Sequence, residues 1–459
     1  MIADLKPYAA YKDSGLPWLG QVPEHWSISR IKTVLQELDG RSTDGEGTLL
    51  SLTRVRGLIA HSDRTDKVHS AKTLVGYKLY QPGEIVMNRM QAWSGMFGAG
   101  TRPGLVSPDY AVFKILGGHD TKLVLERLKT PDLVGQFTIE STGIGSGFNR
   151  LYTDSFGPIP ISLPPLEEQV AIVRFLDWAN GRLERTIRAK RRVIALLTEQ
   201  KQAIIHRAVT RGLDPAVPLK PSGIPWLGDI PQHWEVRRCG GLFFEVIDVG
   251  HPDALLLSID RKKGVIPQSE TGRKVRASEN RGSYKRVLHG QLAYNLMNAF
   301  MGSLGFSQYE GIVSPAYAVA QPRSEIETGF FHHLFRTTAY TGEFNRLSYG
   351  IMYERNRLYF ERFKLVPALV PPLAEQRTIF RGIQERTLRL DVAISRIERE
   401  MELLLEYRTR LVADVVTGKI DVREAAARLP LEEVESSIDT AVQGDDVDMD
   451  RDEETELEV

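Results

Sequence analysis

Two long segments of the chain carry apolar residues at alternating spacings of three and four. Starting at Val173, this register meets apolar side chains at eight of eleven positions, and the register starting at Phe380 does so at nine of eleven. The positions are Val173, Leu176, Asn180, Leu183, Ile187, Lys190, Ile194, Leu197, Lys201, Ile204 and Ala208, then Phe380, Ile383, Thr387, Leu390, Ile394, Ile397, Met401, Leu404, Arg408, Leu411 and Val415. A narrow stripe kept over about five heptads is typical of a coiled-coil seam. We therefore predict two long helices that pack on each other.

The rest of the chain has a different pattern, with short β-branched and aromatic runs bounded by Gly, Pro and Asn. Such runs indicate strands. The predicted strands lie at 49–53, 84–88, 110–116, 157–163, 255–260, 291–297, 316–321 and 363–370, with short helices near 122–128 and 329–337. These segments predict mixed α+β domains that are mostly sheet.

The two halves of the chain are copies of one unit. "SGLPWLGQVPEHW" (14–26) returns as "SGIPWLGDIPQHW" (222–234), and further segments repeat at an offset of 207 or 208. A repeat of this length is a duplicated domain rather than a solenoid unit. The predicted organisation is a globular domain at 1–163, a helix at 164–212, a second globular domain at 213–370, a second helix at 371–421 and an acidic, disordered tail at 422–459.

The repeated Trp-Pro segment is predicted to be a structural lead-in to each globular domain. Its prolines favour an extended chain, and large aromatic side chains gain most from burial. The predicted anchors are Trp18, Trp26, Trp226 and Trp234.

The net charge of zero hides an asymmetry. Residues 431–459 contain thirteen Asp or Glu and one basic residue, so 59 − 1 = 58 basic and 59 − 13 = 46 acidic residues remain in 1–430. A basic body is compatible with nucleic acid. A tail of like charges with few apolar residues is expected to be disordered, and two roles stay open for it, solubility or competition with phosphate.

The search for catalytic chemistry finds no phosphate-binding loop, no H-E-x-x-H motif and no metal-ligand spacing of histidines. The single cysteine, Cys239, excludes a disulfide framework. "SPDY" (107–110) and "SPAY" (314–317) resemble the target-binding motif of adenine methyltransferases, but Asp109 and Ala316 replace its second proline and no cofactor loop precedes them. We predict turn-to-strand elements there, and no catalytic residue, cofactor, metal site or membrane segment.

Polar and basic side chains recur in predicted loops at matching places of the two copies. Arg, Asn and Gln can read base edges with two hydrogen bonds, while Lys and Arg hold phosphates. The candidate DNA-binding residues are Arg54, Arg56, Lys78, Arg89, Gln91, Asn149, Arg150, Arg261, Lys262, Lys263, Lys285, Asn298, Asn356 and Arg357.

Three repeated motifs carry a resemblance to a known family: the lead-in "GIPWLGDIPQHW", the "G[LI]VSP.YAV" segment late in each domain, and "PPL.EQ" at the start of each long helix. In this order, over about 10–421, the chain resembles the specificity subunits of type I restriction-modification enzymes.

The resemblance implies two target recognition domains that each read one half of an asymmetric, bipartite site in double-stranded DNA. It also implies that the two helices form an antiparallel coiled coil, which sets the gap between half-sites and docks two modification subunits. Those partners would carry S-adenosylmethionine, and a restriction subunit, if present, would use ATP and Mg. A prokaryotic cytoplasmic location is expected.

A stand-alone DNA-binding regulator is the alternative function. The two functions differ in one requirement. A stand-alone DNA-binding protein needs apolar residues only on the seam, whereas apolar residues outside the seam are expected to offer a surface to another protein. Those residues are Ile172, Val193, Leu196, Ile205, Leu403, Leu405, Val412 and Val416. The bases read and the length of the gap are not encoded in any pattern we recognise.

Overall fold

The computed structural model describes residues 5–64, 73–143, 149–261, 263–271, 281–350 and 356–430. The described residues divide into two compact units, the first drawn from 1–190 and 400–459 and the second from 191–399. Each unit therefore contains one globular domain together with part of each long helix.

The first globular domain is built from short strands and short helices. Its strands are β1 (Tyr11–Asp13), β2 (Gln21–Pro23), β3 (Ser27–Arg30), β4 (Leu35–Leu38), β5 (Leu50–Thr53), β6 (Gly57–Ala60), β7 (Lys78–Tyr80), β8 (Ile85–Asn88), β9 (Phe97–Gly98), β10 (Gly104–Val106), β11 (Tyr110–Ile115) and β12 (Pro160–Leu163). Its helices are α1 (Ile31–Val34), α2 (Thr121–Leu128), α3 (Pro131–Glu140) and α4 (Thr153–Phe156), and the long helix α5 (Leu166–Arg211) follows.

The second globular domain repeats this order. Its strands are β13 (Leu219–Pro221), β14 (Asp229–Pro231), β15 (Glu235–Arg238), β16 (Phe243–Glu245), β17 (Leu257–Asp260), β18 (Gly264–Pro267), β19 (Lys285–Val287), β20 (Leu292–Asn295), β21 (Leu304–Phe306), β22 (Gly311–Val313), β23 (Tyr317–Pro322) and β24 (Pro367–Val370). Its helices are α6 (Cys239–Leu242), α7 (Thr328–Phe335), α8 (Thr338–Leu347) and α9 (Phe360–Phe363), followed by α10 (Leu373–Val416) and α11 (Arg423–Ala427).

Each globular domain contains a four-stranded antiparallel sheet with the same topology. The strand order is β4-β11-β8-β9 in the first and β16-β23-β20-β21 in the second. The register also matches, because Tyr110 opposes Asn88 and Tyr317 opposes Asn295. The duplication read from the sequence is therefore a duplication of fold, and the α+β class with two tandem domains is confirmed.

A second pair of strands brings the entry and exit of each globular domain side by side. β12 pairs antiparallel with β3 in the first domain, and β24 pairs with β15 in the second. All eight predicted strand segments contain a strand, with differences of a few residues at the ends because flanking Gly and Pro residues form turns.

Each unit has its own apolar core, to which the long helices contribute. In the first unit, Trp26 and Phe156 share a cluster with Phe175 of α5 and Val415 of α10. In the second unit, Trp234 and Phe363 share a cluster with Val209 of α5 and Ile379 of α10. Burial of apolar surface contributes about 25 cal/mol per Å², so these contacts stabilise the packing of the helix ends on the globular domains.

Ion pairs show how the two long helices run in each unit. In the first unit, Glu184 lies 3.5 Å from Arg408, and Lys190 donates to Glu400 at 2.6 Å. The partner number falls as the α5 number rises, so the helices are antiparallel. In the second unit, Lys201 of α5 bonds to Asp391 of α10, and Val209 shares an apolar cluster with Ile379, so the partner number falls there too. The predicted seam residues are buried or half-buried throughout, which confirms the coiled coil.

Two of the apolar residues expected to offer a partner surface are not available. Ile172 is fully buried and Val416 is 1 % exposed, because at these ends the helices pack on the globular core as well as on each other. Val193, Leu196 and Leu403 are exposed as expected.

Secondary structure is present beyond the predicted tail boundary at 422. α11 follows Val422, and Ala426 and Leu429 are buried against the first unit's core. The apolar residues of this short segment are the physical reason, since the acidic run starts only after it. The part of the predicted tail at 431–459 lies outside the described residues. Along the described chain no helix is long and apolar enough to cross a membrane.

Candidate nucleic-acid interface

The lead-in of the first unit is fixed to the start of α5 by one carboxylate. The Trp26 Nε1–H donates to Glu168 Oε1 at 3.0 Å, and His25 Nε2 lies 2.6 Å from Glu168 Oε2. The Tyr8 hydroxyl also donates to Glu168 Oε1, at 2.5 Å. The glutamate of the "PPL.EQ" motif is therefore the anchor for the Trp-Pro segment.

The second unit repeats this junction at Glu375. The Trp234 Nε1–H donates to Glu375 Oε1 at 3.1 Å, and His233 Nε2 lies 2.6 Å from Glu375 Oε2. Trp26 and Trp234 are fully buried, whereas Trp18 and Trp226 are half-buried.

The glutamine of the same motif ties the helix start to the sheet. In the first unit Gln169 accepts from the Asp120 backbone N–H at 2.9 Å and donates to the Pro164 carbonyl at 2.9 Å. Gln376 makes the corresponding bonds to Glu327 and Pro371 at 3.0 and 2.8 Å. These junctions hold each globular domain in a fixed orientation on the helix that follows it.

Two turns come together on the first domain and carry four of the candidate residues, Arg54, Arg56, Arg89 and Gln91. Arg54, in the turn between β5 and β6, donates to the Ser94 carbonyl at 3.1 Å and to the Ser94 hydroxyl at 3.2 Å. Ser94 lies in the turn after β8, where Gln91 accepts from the Asn88 amide at 2.9 Å. Arg56 is half-buried in the first of these turns.

The second domain builds the same pair of turns with other side chains. Arg261, between β17 and β18, donates to the Met301 sulfur at 2.9 Å. Met301 occupies the place of Ser94, and Asn298 occupies the place of Gln91. Lys263 is exposed in the same turn as Arg261.

A charged cluster lies next to these turns in the first domain. Glu37 accepts from Arg89 at 2.6 Å and from Lys78 at 3.1 Å through the same oxygen, and Lys78 also lies 3.4 Å from Asp39. These residues and Arg41 line a hollow of about 430 Å³. The hydrogen bond from Arg41 holds the pKa of Asp39 below its usual value.

The structure places Lys78 differently from the prediction. Its side chain is 2 % exposed and its ammonium group is paired with carboxylates, so it is a structural cation and not a surface contact for phosphate. The matching Lys285 donates to the Tyr317 carbonyl at 2.7 Å and is half-buried. Both lysines support the sheet.

The remaining candidates flank the last strands of each domain. Arg150 lies 3.8 Å from Asp109, and the neighbouring Leu151 N–H donates to the Arg89 carbonyl, so Arg150 lies near the charged cluster. Asn149 and Asn356 are half-buried, and Arg357 is exposed. Lys262 lies outside the described residues, as do the segments 65–72 and 272–280.

Sequence reasoning missed Glu37 and Asp39, which organise the basic side chains. The available signal was the glutamate shared by "LQELDG" (35–40) and "FFEVID" (243–248), since a carboxylate kept at the same place on a buried strand calls for a cationic partner. No group of three or more His, Cys, Asp or Glu among the described residues is placed to hold a metal ion.

Comparison with known proteins shows what this chain is similar to. A model described as the type I restriction modification DNA specificity domain matches residues 127–191, which include the end of α2 and the first half of α5. The type I restriction enzyme EcoKI specificity subunit of Escherichia coli (strain K12) is 21 % identical over 443 residues, covering 87 % of this chain and 90 % of that protein. The chain is therefore similar to a type I restriction specificity subunit along most of its length.

Two further matches are similar to the chain over most of its length. The StySPI specificity subunit of Salmonella potsdam is 22 % identical over 427 residues, with 87 % of this chain and 90 % of that protein covered. A solved chain from work on complex assembly and conformational transition of a type I restriction-modification system has a TM-score of 0.58 at 14 % identity. It covers 86 % of this chain and 98 % of its own length, and it supports the fold.

Proposed function

We propose that this chain is the non-catalytic DNA-recognition subunit of a type I restriction-modification system. It would direct methyltransferase and endonuclease partners to an asymmetric, two-part DNA site. The family supports this, and one structural observation carries it further: two domains of the same topology present corresponding turns with different side chains.

The differences between those turns are of the kind that changes base recognition. Arg54 and Arg261 occupy equivalent places, but Arg89 is replaced by Leu296 and Gln91 by Asn298. Arginine pairs best with guanine, and Gln or Asn with adenine, each through two hydrogen bonds worth about 1–3 kcal/mol of discrimination. Because the two domains carry different side chains on the same fold, we infer that they bind two different half-sites.

The helix pair supports an assembly with other proteins rather than a stand-alone regulator. Leu388 and Val392 of α10 are each 62 % exposed and lie one turn apart. Apolar surface of this kind indicates a protein partner. We propose two modification subunits as the partners, with restriction subunits as possible further components.

The cofactors of the reaction would belong to those partners. We propose that S-adenosylmethionine is held by the modification subunits, and ATP and Mg by a restriction subunit. This chain's own residues would bind and orient the DNA.

Co-expression of the chain with a modification subunit tests the proposal. N6-methyladenine mapped across the host DNA is expected to reveal one two-part motif with a fixed gap. Arg54→Ala should relax one half of the motif and Arg261→Ala the other, while Arg410→Ala on the helix, 82 % exposed, serves as a control. Methylation without a two-part motif, or both halves relaxed by one substitution, would contradict the proposal.

A further inference from the structure

A strongly basic face lies on the first half of α5, turned away from the helix seam. Arg174, Arg182, Arg185 and Arg188 fall within an arc of about 120° at 100° per residue, and the seam residues lie opposite. Arg182 and Arg185 are exposed, and together with Thr186 and Ala189 they line a shallow hollow of about 480 Å³. At 1.5 Å per residue the four arginines extend over about 21 Å.

The described chain ends beside this face. Leu429 is 4 % exposed in the first unit's core, and its carbonyl accepts a hydrogen bond from Arg174 at 2.8 Å. Pro430, the last described residue, therefore stands next to the arginine that begins the basic face.

The segment that continues from this point has the opposite charge. Residues 431–459 carry thirteen Asp or Glu against Arg451 alone. An extended chain spans about 3.3 Å per residue, so about seven residues are enough to run along the whole face. The first acids, Glu432, Glu433 and Glu435, follow the exit point directly.

We propose that residues 431–459 dock on the basic face formed by Arg174, Arg182, Arg185 and Arg188 and thereby shield it from polyanions. Each exposed pair contributes little alone, but several acids meet several arginines. The tether also gives the tail an effective concentration in the millimolar range, which a free polyanion must exceed. This inference concerns the tail and does not depend on which DNA site is read.

Energy transfer between two dyes tests the docking directly. Ala189→Cys marks the far end of the face and Gly444→Cys marks the tail, while the native Cys239 is fully buried and should not react. We expect high transfer efficiency at 50 mM salt and low efficiency at 500 mM, where the Debye length falls to a few ångströms. Transfer that does not respond to salt would overturn the proposal.

Charge reversal identifies the surface. R182E/R185E/R188E should reduce the low-salt transfer efficiency to its high-salt value. R381E/R386E/R389E reverses three exposed arginines on α10 and should leave the transfer unchanged. Equal loss in both variants would mean that the tail responds only to net charge, and would contradict a defined docking face.

The effect of tail docking on DNA binding can be measured by deleting the tail. Deleting 431–459 should strengthen binding of a non-cognate duplex by roughly five- to tenfold at 50 mM salt, with a steeper salt dependence. In the R182E/R185E/R188E background the deletion should have no effect. An unchanged affinity in the wild-type background would leave the segment as a solubility tail, whereas the methylation map tests the proposed function separately.

Discussion

Arg127 shows how the two domains solve one packing problem with different chemistry. Its guanidinium group is fully buried and donates to both oxygens of Asp132, at 3.0 and 2.8 Å, and to Ser162 at 3.4 Å. The second domain has Leu334, Ala339 and Leu369 at the three equivalent positions. Leu334 and Leu369 are fully buried there, so the same space is filled without charge.

We expect Arg127→Leu alone to lower the free energy of unfolding by about 3–5 kcal/mol, because it leaves Asp132 without its partner. The triple variant R127L/D132A/S162L copies the second domain and should recover to within about 1 kcal/mol of the wild type. Urea denaturation of the three proteins checks this. A triple variant as unstable as the single one would show that the cavity shape, rather than the charge, is the cause.

His332 and His333 of the second domain are two imidazoles whose pKa values are lowered, which makes this domain sensitive to acid. Burial and the nearby Arg336 lower the pKa of His332 to about 3 and that of His333 to about 4, and Lys201 also faces His333. Unfolding returns both to an ordinary value near 6.5. The unfolded chain therefore binds more protons below pH 6.5.

The second domain should consequently lose stability as the pH falls from about 6.5 towards 4. The first domain has Leu125 and Glu126 at the equivalent positions. The variant H332L/H333E should weaken this pH dependence, measured as the urea midpoint at pH 7 and pH 5. Parallel changes in wild type and variant would assign the acid sensitivity to other groups.

The environment of a single side chain could be predicted only where the sequence also indicated which residues surround it. Lys78 looked like a loop cation in the sequence, because the strand that contains Glu37 lies 41 positions away and its pairing with β11 was not visible. The recurrence of Arg54 and Arg261 was a better guide, since a duplicated position in a turn keeps its place on the scaffold.

At the scale of elements, the seam of the long helices was readable because a 3–4 pattern over dozens of residues leaves few alternatives. The short strands were also found, since Gly, Pro or Asn residues that favour turns lie near their ends. The helix α11 was missed, because its five residues are too short a pattern to be distinguished from a tail.

The exposed apolar residues of α10 lead to a prediction at this scale. L388E/V392E should leave the free energy of unfolding within about 0.5 kcal/mol of the wild-type value, because both side chains are already solvent-exposed. It should weaken association with a modification subunit at least tenfold. Co-purification and calorimetry test this, with R381E/R386E/R389E as a matched control on the same helix. Unimpaired association would place the partner elsewhere.

For the whole molecule, the equal topology of the two sheets allows a graft within one chain. Residues 239–366 placed between β3 and β12, in exchange for 31–159, keep both Trp–Glu junctions. We expect such a chain, with a modification subunit, to methylate a site whose two halves are the same sequence. Methylation mapping tests it, and retention of the original asymmetric motif would show that bases are read outside the exchanged segment.

The pairing of β3 with β12, and of β15 with β24, has a consequence for how such proteins diversify. The chain enters and leaves each globular domain through two neighbouring strands, next to an anchor that joins residues 142 positions apart in the first unit. A pair of genetic crossovers, one at each of these two strands, replaces the recognition surface and leaves the frame intact. A single crossover that separates Trp26 from Glu168 combines an anchor tryptophan and an anchor glutamate from two different parent genes. These two codons should therefore be inherited together across lineages, while the sequence between them changes freely.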